Sequence, residues 1–351
     1  EAVAPVLGGM FGGVQGGDIR RQIDAIRNSG VEVWMLGHGT DVRLPSRHRQ
    51  LERWSHYRDD EWTPFDLIER ITEENLRIID EVDAPTFVST PGLLLDLPDA
   101  ELTPVVIDSE RWATDAPVLG LVVPRVMHAP SNPITKGTHL IRPAIDRLVD
   151  EGLIGFELTQ GVPNRLMPHY YADRDILLDQ FRAGDYGVAA CEAMAAGRLV
   201  VSHISDQVRS EVLNRTGIEL PIVEATIETI EDVLRDVVAD PDRYREIAHR
   251  GPAFVRAVHD GAAARNAFLR RLGGGRDIVK VAIVSRIYTP EPAAAAFALR
   301  TLATRLRDRG HLVTVMTTSV PPSMTIEDEP GIVVRRAPVL RDRDGYVRGY
   351  L

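Results

Sequence analysis

Glu192 is the one acid in the small apolar run Ala190-Cys191-Glu192-Ala193-Met194-Ala195, which follows the turn Ala183-Gly184-Asp185-Tyr186-Gly187-Val188 and stops at Gly197. The pattern reads as a glycine turn, a short helix and a helix-ending glycine. A helix entrance of this kind holds anions, because its first N–H groups have no partner within the helix and the dipole adds positive potential. A phosphate group fits it without a metal, and a carboxylate such as Glu192 can accept hydrogen bonds from hydroxyls. A lone Glu on a helix is usually a solvated surface acid. Here the apolar neighbours place Glu192 in a buried segment, where an acid needs a partner.

Lys136, in Thr135-Lys136-Gly137-Thr138, offers a compact ammonium suited to a diphosphate; the alternative is a surface lysine before a helix. His38 ends a predicted strand in Leu36-Gly37-His38-Gly39-Thr40-Asp41. Its flanking glycines let a ligand approach the backbone, and strand ends are where parallel sheets bind ligands. The alternative is a satisfied structural histidine, and Asp41 and Arg43 either orient it, bind an acceptor or cap a turn. Cys191 reads as a small core residue rather than a nucleophile. The run Gly8-Gly9-Met10-Phe11-Gly12-Gly13 has no Lys-Ser/Thr pair and no preceding strand, so it reads as a flexible loop. No metal-ligand spacing and no Gly-x-Ser-x-Gly elbow occurs, which disfavours metal and serine hydrolases.

The elements that must position these residues alternate between strand-like and helix-like periods, the pattern of an α/β protein with parallel sheets. Ile19 to Ser29 reads as a helix stopped by Gly30, and Val31 to Leu36 as a buried strand. Thr63-Pro64 opens a helix whose apolar stripe is Phe65, Ile68, Ile71, Leu76 and Ile79. Thr86 to Ser89 and Thr103 to Ile107 read as strands. A second unit follows with strands at Leu119 to Met127, Phe156 to Thr159, Ile176 to Asp179 and Leu199 to Ser202. Its helices are expected at His139 to Glu151, Ile227 to Ala239 and Pro241 to Asp260.

The chain has 351 residues, 44% of them hydrophobic and 26% charged, which is enough for two globular cores. A net charge of −10 disfavours a nucleic-acid partner. The single cysteine excludes an intrachain disulfide and fits a reducing cytoplasm. No apolar run is long enough to span a bilayer, and peripheral membrane contact stays open. The chain opens at Glu1 in the middle of what reads as a domain, as a fragment would.

The stretch from Gly184 to Gly197 resembles the nucleotide-sugar motif of GT-B glycosyltransferases, in which a Gly-Phe/Tyr-Gly turn leads into Leu/Cys-Glu-Ala-Met-Ala-x-Gly. The likeness is to the retaining family 4, also called glycosyl transferases group 1. Lys136 matches the lysine that contacts the donor diphosphate there, and His38 matches the histidine of a His-Gly segment that faces the cleft. Val106-Ile107-Asp108-Ser109-Glu110-Arg111-Trp112 resembles the segment with which these enzymes leave their first domain. The resemblance implies two Rossmann-like domains facing a cleft and donor contacts at Ser131, Lys136, Gly184, Asp185, Tyr186, Gly187, Val188 and Glu192, with His38 as the catalytic residue. It implies a metal-independent, retaining transfer of sugar from a nucleotide diphosphate, which is substrate rather than cofactor, to a glycan, lipid or small-molecule acceptor, as in cell-surface polysaccharide biosynthesis. Two positions depart from the motif: Ser131 replaces an arginine, and Gly184 replaces the first acid of a Glu-x7-Glu pair, the one that touches the transferred sugar. Asp185 substitutes for it only if the turn shifts by a residue. These losses keep two alternatives in view, a non-catalytic nucleotide-binding remnant and a sugar-nucleotide epimerase of the same fold.

The expected organisation is therefore a partial acceptor-side domain at 1–115, a nucleotide-sugar domain at 116–272, and a linker and third segment at 273–351. That last segment, with strands at Val279 to Ser285 and Leu312 to Thr317 around a helix, resembles the opening of a GT-B first domain. It is either a circularly permuted piece of the first domain or the start of a second enzyme that stops at Tyr350-Leu351, and the second reading is preferred.

Overall fold

In the computed structural model the residues described are 2–5, 19–28, 30, 32–59, 65–271, 278, 280–285, 288–290, 294–318 and 329–337. The glycine run from Gly8, the helix opening at Thr63-Pro64, the linker from Leu272 to Asp277 and the end of the chain from Pro338 lie outside them. Thirteen strands occur among the described residues: β1 (Ala2–Pro5), β2 (Glu32–Val33), β3 (Met35–Gly37), β4 (Thr86–Val88), β5 (Glu101–Leu102), β6 (Arg125–His128), β7 (Gly155–Leu158), β8 (Ile176–Leu178), β9 (Leu199–Ser202), β10 (Val223–Glu224), β11 (Lys280–Val284), β12 (Leu312–Thr318) and β13 (Ile332–Ala337). All their pairings are parallel. The protein is α/β, as the alternating periods imply.

The chain forms two compact units. One contains residues 1–44, 66–104 and 264–351; the other contains 45–65 and 105–263. In the first unit, one sheet runs β13-β12-β11-β1-β2 and a second runs β3-β4-β5. β1 pairs with β11 from Ala2 opposite Val281 to Pro5 opposite Val284, and with β2 on its other side. The segment after residue 278 therefore completes a sheet begun at the N-terminal end, and the preference for a separate unfinished unit is corrected. Physically, β11 and β12 are apolar strands that need neighbours on both edges, and β1 supplies one. Trp34, Phe87 and Phe268 pack under these strands with Ile283, Leu299 and Val315.

In the second unit the sheet runs β10-β9-β8-β6-β7. β8 and β9 are buried along their whole length, so they read as continuous apolar runs rather than alternating ones. The helix Thr138–Asp150 turns Ile141, Ala144, Ile145 and Leu148 toward the sheet, the spacing of one helical face. The helix Pro241–Val258 packs closely against Val188–Ala195: a Cβ added to Gly251 would lie 2.7 Å from the Met194 carbonyl oxygen.

Three boundaries differ from expectation. Residues 45–65 belong with the second unit, because Arg182 and His48 tie them there. Leu119 to Pro124 is not strand: Leu119 has φ +52°, its N–H is taken by Asp175 Oδ1 at 2.6 Å, and Val122 is 94% exposed. Thr103 to Ile107 is also irregular, with the Ile107 N–H bonded to the His259 carbonyl. No helix among the described residues is long and apolar enough to cross a membrane.

Candidate functional site

The sheet of the second unit reverses its direction of growth between β6 and β8, since β7 is added on one side of β6 and β8, β9 and β10 on the other. The loops leaving the carboxyl ends of two such strands diverge and leave a crevice, the usual binding place in an open α/β sheet. The loop after β6 carries Lys136, and the loop after β8 leads from Asp179 through Gly184 and Gly187 into the helix Val188–Ala195.

Local chemistry fixes both loops. Asn132 caps the short helix Pro133–Lys136, its Oδ1 accepting from the N–H groups of Ile134 at 2.9 Å and Thr135 at 3.2 Å. Gly137 ends it with φ +81°, a conformation costly for any residue with a Cβ. Lys136 Nζ donates to Asp179 Oδ1 at 2.5 Å, and the two side chains are 15% and 2% exposed. The other Asp179 oxygen is buried without a partner, so this carboxylate is bonded through one atom only. Asp179 also helps push Cys191 and Glu192 up in pKa, which places the pair within electrostatic reach of the helix.

Gly187 stands at the N-cap of Val188–Ala195, and no side chain caps the helix. A Cβ added at Gly187 would touch nothing within 4 Å, so the entrance is open. Glu192, on the second turn, is 7% exposed. Burial raises its pKa to about 8, against Arg111, Asn164 and Tyr171, which favour the ion. Asn164 Nδ2 donates to Oε1 at 3.5 Å and the Tyr171 hydroxyl to Oε2 at 3.4 Å. Both bonds are long, so Glu192 keeps capacity to accept from a ligand. Next to it Cys191 is fully buried, with burial pushing its thiol well up, and its sulfur lies 3.7 Å from His259 Nε2. It packs rather than reacts.

Within this unit the fold brings together Lys136, Gly184, Asp185, Tyr186, Gly187, Val188 and Glu192. Asp185 is buried, and its Oδ1 accepts from the Tyr186 N–H at 2.9 Å, so it is turned inward rather than shifted into the place of the missing acid. Tyr186 is also buried, its hydroxyl 3.3 Å from His259 Nε2. Ser131 is exposed. His38 belongs to the other unit, at the end of β3. Its N–H and that of Gly39 are held by the Asp41 carboxylate, at 3.0 Å and 2.6 Å, which settles Asp41 as the turn's cap. Burial lowers the His38 pKa, opposed by Asp41, and its Nε2 is buried without a protein partner.

The sequence reading missed Asp179, Arg182, Glu52 and His203. The Arg182 side chain is nearly fully buried and binds the carbonyls of Trp54 at 2.9 Å, Ser55 at 3.0 Å and Ile134 at 3.2 Å, and the Asp59 carboxylate. His48 adds bonds to Ser55 Oγ at 2.6 Å and the Ala183 carbonyl at 3.3 Å. Together they lock residues 45–65 onto the turn before the helix. Arg182 lies inside the motif and its charge in an apolar setting was the available signal.

No family model matches the chain, and no curated protein does. Among solved structures the chain is similar to the Anabaena protein HepE in complex with UDP, with 12% identity and a TM-score of 0.49 over 73% of this chain and 76% of that one. Sucrose-phosphate synthase from Thermosynechococcus elongatus matches 78% of this chain with 99% of its own, at 15% identity and a TM-score of 0.44. WaaG, a glycosyltransferase involved in lipopolysaccharide biosynthesis, matches 78% with 100% of its own, at 12% identity and a TM-score of 0.41.

Proposed function

We propose that the protein is a glycosyltransferase that binds a nucleotide-diphosphate sugar in its second unit and passes the sugar to a glycan, lipid or small-molecule acceptor, with retention and without a metal. The observation that carries this reading is the uncapped, open N-terminus of Val188–Ala195 at the reversal point of the sheet, with Lys136 on the neighbouring loop and a buried acceptor, Glu192, on the helix. The diphosphate lies against the free N–H groups and the lysine, and Glu192 accepts from the ribose. Stabilising the departing diphosphate charge is the main catalytic contribution, because among the described residues no activated side-chain nucleophile accompanies these groups. The chain acts in the cytoplasm, and a circularly permuted first domain accounts for the pairing of β1 with β11.

The non-catalytic reading draws on one observation, the glycine at 184. A thermal-shift panel of nucleoside diphosphates and their sugars, followed by a transfer assay with an acceptor mixture, separates the two. A ligand bound only by the folded state raises the melting temperature. Stabilisation with sugar transfer supports the enzyme. Stabilisation without transfer supports the binding module, release of an altered sugar nucleotide without acceptor supports an epimerase, and no stabilisation removes the reading.

A further inference from the structure

The side-chain space at Gly184 is already filled by an acid from elsewhere in the same unit. A Cβ built on Gly184 would stand 2.2 Å from Glu52 Oε1, 2.5 Å from its Cδ and 3.0 Å from Oε2. Glu52 follows the helix Pro45–Leu51, and its N–H donates to the His48 carbonyl at 2.9 Å. Its carboxylate is fixed through one oxygen: Oε2 meets His203 Nε2 at 3.0 Å. His203 Nδ1 meets Glu224 Oε1 at 2.7 Å, and Glu224 Oε2 accepts from the Ile204 N–H at 2.8 Å and from Arg209 at 3.1 Å. Despite burial, which lowers it, the bonds to Glu224 and Glu52 bring the His203 pKa up to about 9, so an imidazolium bridges two carboxylates at neutral pH. Among the described residues no donor bonds Glu52 Oε1.

A mostly buried carboxylate with one oxygen held by a histidine and no protein donor on the other can accept from a ligand. Its position narrows what that is. Glu52 lies against the turn at Gly184, and that turn leads into the helix entrance at Gly187–Val188. A second anion cannot sit directly against Oε1 without like-charge repulsion. A hydroxyl donor can, and the group attached to the far phosphate of a nucleotide sugar is a ring of hydroxyls. We propose that Glu52, delivered by residues 45–65 and oriented by His203, accepts a hydrogen bond from a hydroxyl of the donor sugar, taking the place of the acid absent at Gly184. The inference rests on the nucleotide-sugar reading of the site. It makes Glu52 a sugar-recognition residue, and Gly184 the position whose lack of a side chain gives it room.

The test is calorimetric titration of the full chain with UDP, ADP and GDP and with the glucose conjugate of each, using the wild type, Glu52→Ala and Glu52→Gln. The expected result is that Glu52→Ala binds the nucleoside diphosphates within threefold of the wild type and loses tenfold or more of its affinity for the preferred conjugate. Glu52→Gln, which retains an acceptor oxygen and can still bond His203, loses less than the alanine variant. If the alanine variant does not fold, the glutamine variant decides alone: a loss of threefold or more confined to the sugar conjugate supports the inference. Equal losses for nucleotide and conjugate, or no loss for either, overturn it and leave the nucleotide reading standing. A wild type that binds none of the six ligands overturns both.

Discussion

Replacing Glu192 by glutamine removes a carboxyl that the fold holds far above its ordinary range, and its effect on stability has a definite sign. The group titrates at about 8 in the folded chain and near 4.5 when solvated, because burial disfavours its ion and the bonds from Asn164 and Tyr171 are long. Between those pH values the folded chain holds a proton that the unfolded chain has lost, so the wild type loses stability as pH rises. The slope is about 1.4 kcal/mol per pH unit, and the loss saturates above pH 8 at a ceiling of about 5 kcal/mol. Glu192→Gln keeps the shape and cannot ionise. Urea unfolding of both proteins at half-unit steps from pH 5 to pH 9 should therefore show the variant gaining on the wild type up to about pH 8 and running parallel above it. A difference that stays constant from pH 5 to pH 9 would mean that Glu192 is solvated and ionised throughout, and the buried ribose acceptor would be refuted with it.

Other outcomes follow from particular contacts. Gly251→Ala forces a Cβ to 2.7 Å from the Met194 carbonyl and 3.1 Å from its Cα, so it should cost about 1–3 kcal/mol in urea unfolding despite better helix propensity; an unchanged midpoint would show that the two helices are not in tight contact. His203 titrates at about 9 rather than 6.5, so its pairing contributes stability fully present below pH 6.5 and lost as pH rises through 9. That contribution is at most about 3 kcal/mol, and His203→Gln should abolish this pH dependence in chemical unfolding. Gly184→Ala places a side chain against the Glu52 carboxylate at φ +62° and should destabilise by about 1–3 kcal/mol, so it is no mild control for Glu192→Ala; adding Glu52→Ala should recover part of the loss, and equal melting of single and double variants would contradict the contact.

Legibility of this chain followed the range of the interactions. The helix Phe65–Val82 was readable because its stripe repeats within a few residues, and the helix Val188–Ala195 because glycines mark both ends. The apolar run from Leu119 to Val123 misled, since a strand needs a neighbour as well as a composition, and Asp175 takes the Leu119 N–H that a ladder would have used. The pairing of β11 with β1 joins opposite ends of the chain, and no local pattern encodes a parallel register. At the site, Lys136 and Glu192 stand in recognisable motifs. Glu52 and His203 do not, because their geometry comes from Arg182 and His48 fastening a distant segment to the turn. The missing side chain at Gly184 is visible in the sequence, whereas the Glu52 carboxylate that stands against it comes from a segment distant in the chain.

The central claim is that a diphosphate binds between Lys136 and the entrance of the helix Val188–Ala195. Titration of the preferred nucleoside diphosphate into the wild type and Lys136→Ala, each with and without EDTA, tests it directly. The account predicts binding that is indifferent to EDTA and weakened tenfold or more by Lys136→Ala, with both proteins folded by circular dichroism. Binding that EDTA abolishes while Lys136→Ala leaves it intact would contradict the claim.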